Sequence, residues 1–197
     1  MMVEELQNIL KKSAQESVEA MAFLGRPEAL SFMQNLSKLL AKTFSDGNKV
    51  LIAGNGGSLC DAAHFAEELT GCFRKKRRAL PALVLSEPGA MSCIGNDFGF
   101  EEIFSRGVEA FGSSGDLFIA LTTSGASQNI KRAVEEARKK GLTVVSLLGK
   151  GGGDLLDQAD LQLIVPHCTT SDRIQEVHMA CLHMVIEAME HLLFSKK

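Results

Sequence analysis

The chain has 197 residues, 45% of them hydrophobic and 23% charged, with a formal net charge of −3 and a pI near 6.0. That length suits one domain with room for a core, and the slightly acidic balance argues against a dedicated nucleic-acid binder, which carries a basic surplus. Five cysteines with no C-x-x-C spacing indicate neither a disulfide framework nor a zinc knuckle. The start, Met1-Met2-Val3-Glu4-Glu5, is acidic where a secretory signal is basic, and no unbroken apolar run approaches membrane-spanning length. The expectation is a cytoplasmic protein, one domain over residues 1–197, with no membrane and no nucleic acid among its partners.

In chain order, Val3, Leu6, Leu10, Ala14, Val18 and Met21 recur at steps of three or four, the spacing of a helical apolar stripe. Gly25 and Pro27 interrupt it, and Leu30, Met33, Leu36 and Leu40 begin a second stripe that ends before Asp46-Gly47-Asn48. Residues 1–46 are therefore predicted as a helical pair, packed with the last helix and used for oligomer contacts. Short apolar runs follow at Lys49 to Ala53, Ala82 to Leu85, Asp116 to Leu121, Leu142 to Leu148 and Leu161 to Val165. Apolar without alternation, they suit strands covered on both faces. Between them, Ile130, Ala133, Val134 and Ala137 form a stripe closed by Lys139, Lys140 and Gly141, cations and a glycine where a helix ends. A last helix is predicted over about 172–193. Strand–helix alternation implies right-handed crossovers, hence an α/β three-layer sandwich with a five-stranded parallel sheet. The run Arg74-Lys75-Lys76-Arg77-Arg78 reads as a solvated loop or as an anion-attracting rim.

Two loops carry the functional signal. Gly54-Asn55-Gly56-Gly57-Ser58 sits between a strand and a helix, where glycines let backbone N–H groups approach an anion and the helix presents its positive end. It lacks the third glycine of a dinucleotide fingerprint and the Gly-Lys-Ser/Thr of a Walker A loop. Thr122-Thr123-Ser124-Gly125-Ala126-Ser127 follows the third strand and offers hydroxyl and N–H donors that suit phosphate oxygens. Both lie at strand carboxyl ends, where open parallel sheets bind ligands.

Titratable groups cluster beside the first loop. His64 and Glu68 are an i, i+4 pair on one helix face, fit for a metal or for a plain ion pair, with Glu67 turned toward solvent. His183 stands among Cys181, Leu182, Met184, Val185 and Ile186, which predicts burial. Gln175 and His183 are eight positions apart, about 12 Å along a helix. One metal would be at full stretch between them, unless the helix leans across the site or the two groups come from different subunits.

Taken together, Gly54-Asn55-Gly56-Gly57-Ser58, Asp61, His64 to Gly71, Gly95-Asn96-Asp97-Phe98-Gly99-Phe100, the Thr/Ser loop and Asp172 to His178 resemble the phosphoheptose isomerases, a family of the sugar isomerase (SIS) fold. The likeness spans nearly the whole chain in order. It implies a homotetramer with sites at subunit contacts and a reaction that turns D-sedoheptulose 7-phosphate into D-glycero-D-manno-heptose 7-phosphate, early in lipopolysaccharide heptose synthesis. By position it assigns substrate contacts to Asn55, Gly56, Gly57, Glu68, Asn96, Asp97, Thr122, Thr123, Ser124, Ser127 and Gln175. It assigns one zinc per subunit to His64, Glu68, Gln175 and His183. Glu68 is expected as the base and His183 as the acid, although a carboxylate held on zinc is a weaker base. Two departures stand out: Cys72 replaces the family's usual arginine, for which Arg74 could substitute, and Ala126 stands where asparagine is common. A non-enzymatic alternative is an SIS-fold tetramer that binds the bacterial replication initiator, but such relatives tend to lack the residues equivalent to Glu68 and His183. A sugar-phosphate sensor would need an added DNA-binding domain.

Overall fold

A computed structural model describes residues 2–195, with the side chain of Met2 excepted. Its helices are α1 (Met2–Ala22), α2 (Pro27–Ser45), α3 (Gly57–Thr70), α4 (Pro88–Asp97), α5 (Ser105–Phe111), α6 (Gln128–Lys139) and α7 (Ser171–Phe194). Its strands are β1 (Val50–Gly54), β2 (Ala82–Val84), β3 (Leu117–Thr122), β4 (Thr143–Leu148) and β5 (Leu161–Ile164). They form one sheet in the order β2-β1-β3-β4-β5, parallel throughout. This is the predicted α/β architecture, with strand limits shifted by a residue. Gly54 and Thr122, expected in the loops, close β1 and β3.

Period-two alternation sends neighbouring strand residues into separate cores. Val50 and Ile52 join Leu36, Leu40, Phe65, Leu69, Val177 and Val185 beneath α2, α3 and α7. Leu51 and Ala53 join Phe104, Val108, Ile130, Ala133 and Val134 beneath α5 and α6. All of β1 and β3 is buried, as a strand covered on both faces must be. The α6 stripe packs as its spacing predicts.

Three features bear on the expectations drawn from sequence. The first concerns α1: Val3, Leu6, Leu10 and Val18 are exposed on it, and its ties to α7 include Ser13 and Ser17, both hydrogen-bonded to Arg173. Second, α4 and α5 fill the stretch between β2 and β3, where strand–helix alternation expects helix without giving its limits; α4 buries none of its residues, so no apolar stripe announces it. Third, α7, with 24 residues, is long and apolar enough to cross a membrane by length and composition. Its Ile174, Val177, Cys181, Leu182, Val185, Ile186 and Met189 are nevertheless buried against the rest of the fold, as a core helix requires.

Candidate active site

The chain leaves β1 toward β2 and leaves β3 in the opposite direction, toward β4. That reversal opens a crevice at the carboxyl ends of β1 and β3, and the two glycine-bearing loops border it. Gly54 is compelled by close approach: a Cβ there would stand 2.6 Å from the Ser58 carbonyl oxygen. Gly56, at φ 54°, caps α3. A Cβ on Gly57 would stand 2.5 Å from Gln175 Oε1, so Gln175 rests on the first turn of α3.

The second loop is shaped by its own hydroxyls. Gly125 N–H donates to Thr122 Oγ1 at 3.2 Å, and Ala126 N–H donates to Ser124 Oγ at 3.2 Å. Gly125, at φ 66°, lies so close to the Gly152 carbonyl that a Cβ would overlap it. Thr123 Oγ1 is 3.1 Å from Ser171 Oγ at the start of α7. Ser127 is the N-cap of α6 and makes no side-chain capping bond, which leaves its hydroxyl for a ligand. A residue not expected from the sequence ties the loops together: Asn55 and Asn129 exchange two amide hydrogen bonds, both 2.9 Å.

Asn96 and Asp97 end α4, exposed, with Asn96 Nδ2 donating to Asp97 Oδ1 at 2.7 Å. Among the described residues no hydrogen bond joins them to either loop.

The titratable cluster lies farther along α3. His64 Nε2 and His183 Nε2 each stand 3.4 Å from the same oxygen, Glu68 Oε1. The two imidazole rings meet edge to face at 5.0 Å. Candidate ligand atoms of the three residues all fall within 4.8 Å of one another. The Glu68 side chain is only 11% exposed, and its Oε2 is buried without a hydrogen-bond partner. Burial raises the Glu68 pKa, against the opposing pull of His183 and His64. Asp61, two turns earlier, is pushed up to about 6 by burial, with His64 opposing. An orphaned carboxylate oxygen beside two imidazoles is a donor set suited to a divalent cation.

His183 is not buried as expected: its side chain is 36% exposed, one face stacked on Phe73 at 5.9 Å. The buried histidine of α7 is His178, whose Nε2 donates to the Leu148 carbonyl at 3.1 Å. Gln175 lies level with Gly57, and Gly57 precedes His64 by seven helical residues, about 10 Å. Within one chain the structure thus unites His64, Glu68 and His183 and holds Gln175 at the other end of the crevice.

Comparison with known proteins accords with this geometry. Residues 15–149 match the SIS domain. A phosphoheptose isomerase of Fusobacterium nucleatum is 52% identical over 172 residues, 87% of this chain and 88% of that protein. One from Shigella dysenteriae is 46% identical over 185 residues, 93% and 96% of the two chains. The structure of phosphoheptose isomerase from Neisseria gonorrhoeae superposes with a TM-score of 0.85 at 34% identity, covering 93% of this chain and 99% of that one. The chain belongs to the phosphoheptose isomerase family of SIS-domain proteins.

Proposed function

We propose that the protein is an aldose–ketose isomerase that converts D-sedoheptulose 7-phosphate into D-glycero-D-manno-heptose 7-phosphate, the supply step for lipopolysaccharide heptose. The observation that carries the reading is Glu68 Oε1 standing 3.4 Å from both His64 and His183, beside a crevice rimmed by neutral donors. Those donors suit a phosphate and a polyhydroxyl chain; the carboxylate and imidazole suit proton movement. Gly56, Gly57, Thr123, Ser124 and Ser127 would take the phosphate and hydroxyls, with Asn55 and Thr122 shaping the loops.

Isomerisation moves the carbonyl from C2 to C1. Glu68 removes the C1 proton, the electron pair forms the C1–C2 double bond, and His183 gives a proton to the C2 oxygen. The enediol then collapses: His183 takes the proton from the C1 hydroxyl, C1 becomes the carbonyl, and Glu68 returns a proton to C2. Desolvation of Glu68 strengthens it as a base, and each group contributes on the order of 10²–10⁴-fold. His64, Glu68 and His183 would hold the family's zinc, with Glu68 keeping its second oxygen and His183 its second ring nitrogen for the proton steps. When bound, zinc would polarise the substrate carbonyl and favour the enediolate charge.

A fourth ligand from Gln175 calls for a second copy of the chain, because Gln175 sits about 12 Å along α7 from His183. The exposed apolar residues Val3, Leu6, Ile9 and Leu10 of α1 supply a face that such a copy would bury, in keeping with a homotetramer. The test is turnover of sedoheptulose 7-phosphate by purified, zinc-loaded protein, with Glu68→Gln as control. Activity in the native protein and none in the variant supports the reading; no isomerisation at any zinc level sinks it.

A further inference from the structure

The basic run Arg74 to Arg78 is neither a uniform solvated loop nor an open anion rim. Arg77 turns inward, its side chain 4% exposed, and its Nε donates to Glu190 Oε1 at 2.7 Å; the Glu190 side chain is 10% exposed. The rest of its guanidinium fork reaches the end of α3. One terminal nitrogen donates to the Glu68 carbonyl at 2.6 Å, and the other to the carbonyls of Leu69 at 2.8 Å, Arg78 at 3.1 Å and Gly71 at 3.3 Å. The last carbonyls of a helix have no partner within it and carry partial negative charge. A buried cation forked across them fixes the helix end, and here that end includes the backbone of Glu68 itself.

The other half of the pair has an equally specific place. Glu190 is seven residues beyond His183 on α7, two turns along and nearly in phase, so both face α3. Between them the segment after α3 lies along α7. Phe73 stacks on His183, Arg74 pairs with Glu187, and Arg77 pairs with Glu190. The two residues that share the proton work stand on different helices, and Arg77 bridges those helices, at the Glu68 carbonyl on one and at Glu190, two turns beyond His183, on the other.

We propose that Arg77, held by Glu190, is a positioning residue: it sets the separation of Glu68 from His183, and with it the geometry of the site for metal and substrate. The proposal rests on the isomerase reading above for its kinetic consequence, and on the contacts alone for its effect on metal binding.

The test compares wild type with Arg77→Lys and with the double variant Arg77→Met/Glu190→Leu. The double variant removes both charges together, since deleting one member would strand the other in the interior, whereas an apolar replacement of a buried pair is often neutral for stability. Lysine keeps a charge for Glu190 but cannot fork across two carbonyls. Three quantities are read: melting temperature, kcat and KM for sedoheptulose 7-phosphate, and Zn²⁺ affinity by competition with a chromophoric chelator. Arg77→Lys should melt near wild type and the double variant several degrees lower, since it strands the carbonyls that Arg77 reaches; both should lose about 10–100-fold in kcat, with KM changed by less than about 3-fold. Zn²⁺ affinity should fall by about 10-fold. Folded variants that keep kcat and Zn²⁺ affinity within about 2-fold of wild type overturn the proposal. Should both unfold, Glu190→Gln preserves shape and an acceptor for Arg77; kcat there should fall at least about 3-fold without a rise in KM, and an unchanged kcat again overturns it. Wild-type protein that binds zinc but turns nothing over defeats the isomerase reading instead, and the Zn²⁺ affinities still decide the role of Arg77.

Discussion

The two ends of α3 do opposite things with polar groups. At its start, the polar side chains around the crevice are largely satisfied within the chain: Asn55 by Asn129, Thr122 by Gly125, Ser124 by Ala126, Thr123 by Ser171. They hold a shape, and the shape presents neutral donors to an anion. Farther along, Asp61 in the second turn and Glu68 near the end each keep a buried carboxylate oxygen with no partner, and burial raises the pKa of both. An unsatisfied buried carboxylate costs stability, so the fold retains there a penalty it avoids a few turns away. On the proposed reading, binding is built from finished hydrogen bonds, and chemistry from unfinished ones.

The contrast breaks most sharply under substitution at the unfinished end. Glu68→Gln and His183→Ala should each lower kcat by on the order of 10²–10⁴-fold, with the circular dichroism spectrum unchanged. Titration of an unreactive sugar phosphate should show that binding survives, because the loops remain intact. Loss of that binding in Glu68→Gln would mean the two ends are not separable. Conversely, Gly125→Ala attacks the finished end. Its Cβ would overlap the Gly152 carbonyl at a φ of 66°, so the second loop must move; strain of this kind costs about 1–3 kcal/mol. KM should rise several-fold more than kcat falls, a split that steady-state kinetics reads directly.

How much of this is legible in a sequence depends on range. The loops are, because a glycine- and hydroxyl-rich stretch directly after an apolar run needs only local rules. The cluster is half legible: His64 and Glu68 share a face by spacing, but neighbours alone misplace the buried histidine. His178 and His183 both have apolar neighbours, yet they lie five residues and so about 140° apart on α7; phase puts His178 with Ile174, Val177 and Cys181 in the core. Asn129 and Arg77 are not legible, since their partners Asn55 and Glu190 lie 74 and 113 residues away. Only the fold brings them together.

His178 extends the comparison to a third condition, a buried titratable group that is neither finished nor catalytic. Donation to the Leu148 carbonyl places its proton on Nε2 and leaves Nδ1 without a partner. Burial lowers its pKa to about 4 from an ordinary value of 6.5. A depressed histidine pKa means that the unfolded chain takes up the proton first as pH falls. Stability is therefore full above the unfolded pKa and declines between there and the folded value, by up to about 3 kcal/mol. His178→Gln can keep the donor to Leu148 without titrating. The difference in melting temperature between about pH 7.5 and about pH 5 should shrink in that variant; an unchanged difference would place the acid sensitivity elsewhere.

The smallest effect sharpens the finished end. Asn129 is 3% exposed, and its amide both closes the pair with Asn55 and, through Oδ1, accepts from Ile130 N–H at 2.9 Å. Asn129→Ala strands the Asn55 amide, while Asn55→Ala strands that of Asn129; each should cost about 1–2 kcal/mol. The double variant should cost less than the sum, because neither amide is then left facing a missing partner. Chemical denaturation of the four proteins gives that coupling energy. If the amide pair only shapes the crevice, the variants should share one KM shift in proportion to lost order. A larger rise in KM for Asn55→Ala than for Asn129→Ala would instead assign Asn55 a direct hydrogen bond to the sugar, made by the amide that now faces Asn129.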